Sequence, residues 1–227
     1  MRLAKLGVVA LAAACVRAGA PGSVAAPEPI NTADAATAPD RAADSLLVDV
    51  RALEPSIVVD MRYVTSDNFT GAPLPGYLAN RALLRREAAG ALARVQRGLR
   101  PGGLGLKVFD AYRPARATQA MVDWTERAGR ADLLRDGYIA SRSRHNLGVA
   151  IDLTLIELPG GRELDMGTPF DTFSAAAHTA NASGQVETNR QTLKRAMERE
   201  GFANYDKEWW HFSFSVPNPL RFDKSIR

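Results

Sequence analysis

The stretch Ser143-Arg144-His145-Asn146-Leu147-Gly148-Val149-Ala150-Ile151-Asp152-Leu153-Thr154-Leu155 decides how this chain is read. Residues 149 to 155 have the aliphatic and β-branched content of a strand, and side chains on a strand alternate between its two faces. Val149, Ile151, Leu153 and Leu155 therefore share one face, with Ala150, Asp152 and Thr154 on the other. A second stretch repeats the design near the end of the chain. After Glu208-Trp209-Trp210, the residues Phe212, Phe214 and Val216 face one way, and His211, Ser213 and Ser215 the other. Each strand has an apolar face for a core and a polar face bearing one metal-ligand type. As neighbours in one sheet they would bring Asp152 and His211 together, and His145, in the turn before the first strand, would complete a three-point site.

Two imidazoles and one carboxylate are a known catalytic zinc set, because three protein ligands leave the fourth position to water. Water in that position is acidified toward a pKa of about 7, and it still needs a general base. Glu208 stands three residues before His211. Positions three apart on a straight strand face opposite sides, so the segment must bend if Glu208 is to reach that water, and Trp209 and Trp210 could pack such a bend. Taken singly, a histidine, a strand aspartate or a tryptophan pair is more often structural; the joint pattern is much harder to obtain by accident. A second block, Asp110-Ala111-Tyr112-Arg113-Pro114, ends a strand and opens a helix. Arg113 offers planar, permanently charged donors suited to a carboxylate or a developing oxyanion. Asp110 could orient that guanidinium, although the two would equally serve as a structural pair at a helix start.

Outward from these motifs, residues 57 to 63 read as a strand and Ser66 to Gly76 as a loop. Leu83, Leu84, Ala88, Ala91, Leu92, Val95 and Leu99 recur at helical spacing and end at Pro101-Gly102-Gly103. Leu106 to Phe109 is a short strand, and Pro114 opens a helix with Ala117, Met121, Trp124 and Ala128 on one side. Thr188, with Gln191 three residues later, is expected to cap a helix burying Leu193, Ala196 and Met197. Helices and strands follow one another without strict βαβ repetition. The expectation is an α+β domain, a mostly antiparallel sheet flanked by helices, over residues 45–227.

The 227 residues are 46% hydrophobic and 24% charged, which excludes collagen, coiled coil and wholesale disorder. The formal charge of +4 falls to +1 once Arg2, Lys5 and Arg17 are set aside, so basicity gives no case for nucleic acid. A single cysteine excludes an intrachain disulfide framework. Arg2 and Lys5 precede the apolar run Leu6 to Cys15, and Ala18-Gly19-Ala20 has small-x-small cleavage character. Residues 1–20 are expected to be an export signal, with a lipoprotein site at Cys15 as the alternative, although Ala12 stands where such sites usually carry Leu or Val. The run is too short to cross a membrane, and no other segment is long and apolar enough to do so. Residues 21–44 have the composition of a disordered linker.

The blocks Asp110 to Pro114, Ser143 to Thr154 and Glu208 to His211, with Tyr63 to Gly71 and Met166-Gly167-Thr168-Pro169-Phe170-Asp171, resemble the zinc D-alanyl-D-alanine dipeptidases. They occur in that family's order from about Met61 to Phe222. The resemblance implies one zinc per chain on His145, Asp152 and His211, with Glu208 as the base that later protonates the leaving amine. It implies that Arg113 stabilises the oxyanion with Asp110 supporting it, that Asp171 holds the free ammonium of a D-Ala-D-Ala dipeptide, and that Tyr63 and Ser143 line the pocket. The segment between Trp124 and Ser141 is short for the family, and the export signal points to a periplasmic place of action. His178, in a loop after Asp171, is expected at the pocket rim or in packing, since a fourth protein ligand would remove the water position. The alternatives are a D,D-carboxypeptidase or peptidoglycan endopeptidase of the same superfamily, or a non-catalytic zinc module. Such a module would need neither Glu208 nor Arg113.

Overall fold

The computed structural model describes residues 37–227. The expected export signal, Cys15 and linker residues 21–36 lie outside the described residues. The chain runs α1 (Asp40–Leu46), β1 (Leu47–Asp49), α2 (Val50–Leu53), β2 (Val58–Val59), β3 (Leu83–Arg85), α3 (Arg86–Leu99), β4 (Leu104–Asp110), α4 (Ala115–Arg127), α5 (Asp132–Arg135), β5 (Ala150–Glu157), α6 (Gly184–Arg199), β6 (Phe202–Asn204) and β7 (His211–Phe214). Strands β1 and β3 form a small antiparallel pair, and the main sheet has the order β2-β4-β5-β7-β6.

The main sheet is α+β in character and mixed in direction: β2 runs parallel to β4, and the other pairings are antiparallel. Register decides where the chemistry goes. Lys107 lies opposite Thr154, a bulge follows Val108, and Asp110 then lies opposite Asp152; on the other side of β5, Asp152 faces His211. Three charged or ligating side chains thus stand in one row across β4, β5 and β7. Val108 with Leu153, Leu106 with Leu155, and Ile151 with Phe212 pair on the sheet, and α3 and α6 pack against each other and against the sheet. Ala88, Ala91, Leu92, Val95, Leu193, Ala196 and Met197 are buried there, as their spacing predicts.

Several boundaries differ from the sequence reading. Residues 40–44, expected in the linker, belong to α1, where Ala43 is buried against the core. Leu83 and Leu84 are strand rather than helix, held by pairing with Val48 and Asp49. The strand expected over 57–63 is only Val58–Val59; Arg62–Val64 is a 3-10 turn. Thr188 does not cap α6. The helix starts at Gly184, and the Thr188 hydroxyl donates to the Gly184 carbonyl from inside it. Ala128 is exposed just past the end of α4. Finally, β5 is buried on both faces, so its polar face is covered rather than open to solvent.

Candidate active site

The turn before β5 is built to aim one histidine. The Ser143 hydroxyl accepts from the His145 N–H at 3.2 Å, and the Asn146 side chain accepts from the Ser143 N–H at 3.4 Å, a reciprocal cap. Gly148 closes the turn at φ +67°, where a Cβ would run into the Leu47 side chain. The His145 Nδ1–H donates to the Ala111 carbonyl at 2.6 Å. That bond fixes the tautomer and leaves Nε2 as the free lone pair. Nε2 lies 3.2 Å from Nδ1 of His211 and 3.4 Å from Oδ2 of Asp152, and His211 Nδ1 is 2.9 Å from Asp152 Oδ1. One ligand atom from each of the three residues falls within 4.8 Å of the others. Two aimed imidazole nitrogens and a carboxylate oxygen in that space fit a zinc ion in donor type and number.

The electrostatics of the three are linked. Burial pushes the His211 imidazole toward its neutral form, the form that ligates metal. Burial opposes ionisation of Asp152, but His145 and His211 together hold its carboxyl well below the usual range.

Glu208 reaches the site because β7 begins only at His211. The loop from β6 folds back on itself: Glu208 N–H donates to Tyr205 O, His211 N–H donates to Glu208 O, and the Asn204 amide donates to both the Glu208 and His211 carbonyls. The bend puts Glu208 Oε2 3.9 Å from His211 Nδ1. Burial, reinforced by Asp152 and Asp171, raises the Glu208 carboxyl well above its ordinary range, the direction useful to a group that must take and return a proton near neutrality.

Arg113 and Asp110 stand together at the end of β4. The guanidinium donates from Nε and Nη2 to Asp110 Oδ2 at 2.9 and 2.7 Å, and the other Asp110 oxygen accepts from the Tyr77 hydroxyl at 2.6 Å. Burial opposes its charge, but the Asp110 carboxylate overrides that and keeps Arg113 a cation. Its Nη2 lies 3.8 Å from Asp152 Oδ2, toward the ligand cluster. The Arg113 N–H donates to the His145 carbonyl, and the Asn146 amide donates to the Arg113 carbonyl, so the two motifs are stitched by backbone. Tyr77, which fixes Asp110, was missed by the sequence reading; it sits after the Pro- and Gly-rich loop, where no periodicity marks it.

The facing wall is the coil carrying Asp171. Asp171 has φ +59°, an uncommon conformation that aspartate tolerates better than most residues. The Tyr63 hydroxyl donates to its two oxygens at 3.1 and 3.0 Å, and the Arg113 guanidinium lies 5.2 Å from the Tyr63 ring centre. Burial, with Asp152 nearby, raises the Asp171 carboxyl well above its usual range. Trp209 Nε1–H donates to the Thr168 hydroxyl at 2.9 Å, and Trp210 packs edge-on against Phe170. The Glu208-to-His211 loop is thereby locked to the coil that carries Asp171. Buried Arg190 of α6 clamps the same coil, donating to the carbonyls of Met166, Ala176 and His178. Arg190 also went unrecognised in the sequence, where it looks like one more charge on a polar helix.

Two further residues singled out in the sequence have partners of their own. The Ser143 hydroxyl is engaged with the His145 N–H, so what the structure shows of it is a hold on the metal-site turn. His178 is 3.0 Å from the Tyr138 hydroxyl and is not part of the ligand cluster among the described residues.

An aimed pair of histidines and a carboxylate, a raised carboxyl beside them and a charged arginine next to the aspartate define a metallopeptidase. The family model described as D-Ala-D-Ala dipeptidase matches residues 43–220, and the chain belongs to that family. The chain is 38% identical over 168 residues to a D-alanyl-D-alanine dipeptidase of Enterococcus faecalis, covering 67% of this chain and 83% of that one. It is 36% identical over 176 residues to one of Streptomyces coelicolor, covering 70% and 87%. A solved structure of the vancomycin-resistance D,D-dipeptidase VanXYg with a D-Ala-D-Ala phosphinate analogue superposes at a TM-score of 0.41 with 19% identity, over 74% of this chain and 66% of that one.

Proposed function

We propose that the protein is an exported zinc dipeptidase that hydrolyses D-Ala-D-Ala to two D-alanines during cell-wall peptide turnover. The observation that carries the reading is the meeting of His145, Asp152 and His211 with Glu208 on one side and the Tyr63–Asp171 pair facing them. Relatives carrying the D-alanyl-D-alanine dipeptidase name support the substrate. Zinc held by His145 Nε2, His211 Nδ1 and the Asp152 carboxylate would polarise the scissile carbonyl and acidify water. Glu208 takes the proton from that water and delivers it to the leaving amine. Arg113, kept charged by Asp110, places its donors where negative charge develops on the carbonyl oxygen. Asp171, oriented by Tyr63, accepts the ammonium of the first residue. Burial makes a lone Asp171 carboxylate costly, and the ammonium relieves that cost. The basic and apolar start of the sequence supports export to the periplasm.

A D,D-carboxypeptidase needs the opposite at Asp171, because its substrate continues where the dipeptide has its ammonium. The test compares kcat/KM for D-Ala-D-Ala and N-acetyl-D-Ala-D-Ala, with and without a chelator. Acetylation should lower it by roughly two to three orders of magnitude, the cost of breaking a buried ion pair, and the chelator should abolish turnover of both. Equal cleavage of the blocked and free dipeptides would replace this reading with the carboxypeptidase. Mass spectrometry of the protein from its native cell tests export: an intact Met1 would contradict it.

A further inference from the structure

The Asp110 carboxylate is fully buried, and its two oxygens are used unequally. Oδ2 accepts from both Nε and Nη2 of Arg113, at 2.9 and 2.7 Å, and lies 3.4 Å from His145 Nδ1. Among the described residues, Oδ1 accepts only from the Tyr77 hydroxyl, at 2.6 Å. An arginine and a carboxylate left to themselves tend to form a fork, two parallel N–H···O bonds to separate oxygens. Arg113 does otherwise. Both of its donors converge on the oxygen that Tyr77 leaves to it, and in that place Nη2 stands 3.8 Å from Asp152 Oδ2, beside the ligand cluster.

Tyr77 is itself firmly placed and only 3% exposed. Gly76, just before it, has φ +91°, and a Cβ there would lie 2.9 Å from the ring of Pro114, the residue after Arg113. Just after it, the Leu78 N–H donates to the Ile226 carbonyl, and the Ile226 N–H donates to the Gly76 carbonyl. The segment carrying Tyr77 is thus packed on the chain next to Arg113 and tied to buried Ile226 on its other side. Burial and the Asp110 charge raise the Tyr77 phenol well above its ordinary value, so the hydroxyl stays a donor.

We propose that Tyr77 is a positioning residue for Arg113: its hydroxyl holds Asp110 turned so that the guanidinium pairs with Oδ2 alone and keeps its remaining donors at the developing oxyanion. The proposal rests on the reading of Arg113 as the oxyanion donor. Without the hydroxyl, the carboxylate is free to turn about its Cβ–Cγ bond until Nε and Nη2 meet one oxygen each, and the guanidinium moves with it. A displacement of about 1 Å is enough to cost about 10²-fold in rate. The loss falls on the transition state, because negative charge on the carbonyl oxygen develops only there.

The test is Tyr77→Phe in the zinc-loaded protein, which removes the hydroxyl and keeps the ring. For D-Ala-D-Ala, kcat should fall by about 10- to 100-fold, with KM within about threefold of wild type and one zinc per chain retained. The inhibition constant of a phosphinate analogue of D-Ala-D-Ala, whose anionic oxygens stand in for the tetrahedral centre, should rise by the factor that kcat/KM loses. In an Arg113→Ala background, Tyr77→Phe should cost less than about twofold more, since the group it positions is gone. An equal loss in both backgrounds would place the hydroxyl's effect elsewhere and overturn the proposal. So would a Tyr77→Phe protein with native kcat, or one that fails to fold or to hold zinc, because Tyr77 would then serve the structure or the metal turn. If Arg113→Ala alone keeps native kcat, the reading of Arg113 fails and the proposal falls with it. If Arg113→Ala is costly and Tyr77→Phe is silent, the proposal alone fails.

Discussion

The two walls of the site are held by different means. The ligand wall stands on the main sheet: Asp152 is fixed between Asp110 and His211 by strand register, and His145 is aimed by a capped turn of four residues. The facing wall is coil. Between β5 and α6 the described chain has no helix or strand apart from a 3-10 turn at Ala175–Ala177, and Asp171 is placed by side chains that reach in from elsewhere: Tyr63, Trp209 and Arg190. Backbone ladders position ligands to within a fraction of an ångström; a wall sewn by side chains depends on a few individual bonds. Damage to the coil should therefore cost substrate handling and spare metal binding.

The largest expected effect is on the ligand side. Glu208→Gln should keep the fold and about one zinc per chain while lowering kcat by about 10²–10⁴-fold. Elemental analysis and steady-state kinetics check both halves, and near-native activity would remove Glu208 from the chemistry. Next comes the clamp. Arg190→Met leaves four carbonyls without their donor, those of Met166, Ala176, His178 and Asn181, and should cost about 3 kcal/mol in denaturant unfolding. It should also raise KM for D-Ala-D-Ala with zinc content unchanged; loss of zinc would break the distinction between the walls.

The third test uses pH. The Asp171 carboxyl is raised in the folded protein, so above the ordinary carboxylate range the metal-free native state holds a proton that the unfolded chain has released. Stability then falls as pH rises, until the raised value is passed. Asp171→Asn should relieve this, gaining on wild type between pH 5 and pH 8 by about 1.4 kcal/mol for each unit of the shift. Asp152 is lowered instead, and its contribution is present above the unfolded value and lost on acidification. Urea midpoints at the two pH values separate the pair; parallel curves for wild type and Asp171→Asn would show that Asp171 is not raised. The smallest effect belongs to Thr188→Ala. As a cap it would cost about 1 kcal/mol, but inside α6 it should change stability by less than about 0.5 kcal/mol.

The same division explains what could be read in the sequence. Alternation along residues 149–155 and 212–216 is a local signal, and it places Asp152 and His211 on the correct faces before any contact is known. Spacing says only that Glu208 reaches the site if the segment bends, and the hydrogen bonds of Glu208 and His211 make that bend. Tyr77 and Arg190 act through contacts 33 and 24 residues away in the chain, and nothing near them in sequence announces those contacts. Leu83 and Leu84 have helical spacing with the residues of α3, yet pairing with β1 overrides it. Thr188 has the residues of a capping box, but α6 extends past it to Gly184, so the box is only a coincidence of composition.

The order of residues in the chain also sets a timetable. His211 arrives 59 residues after the carboxylate it meets. The turn that aims His145 is closed from outside by Phe222, whose N–H donates to Asn146 O and whose carbonyl accepts from Ala115. A growing chain therefore carries Asp152 and His145 for a long interval in which neither β7 nor that closing segment yet exists. The centre of the sheet cannot assemble before His211 and Phe222 have been made, so a chain that stops short of them bears Asp152 and His145 without a complete ligand cluster.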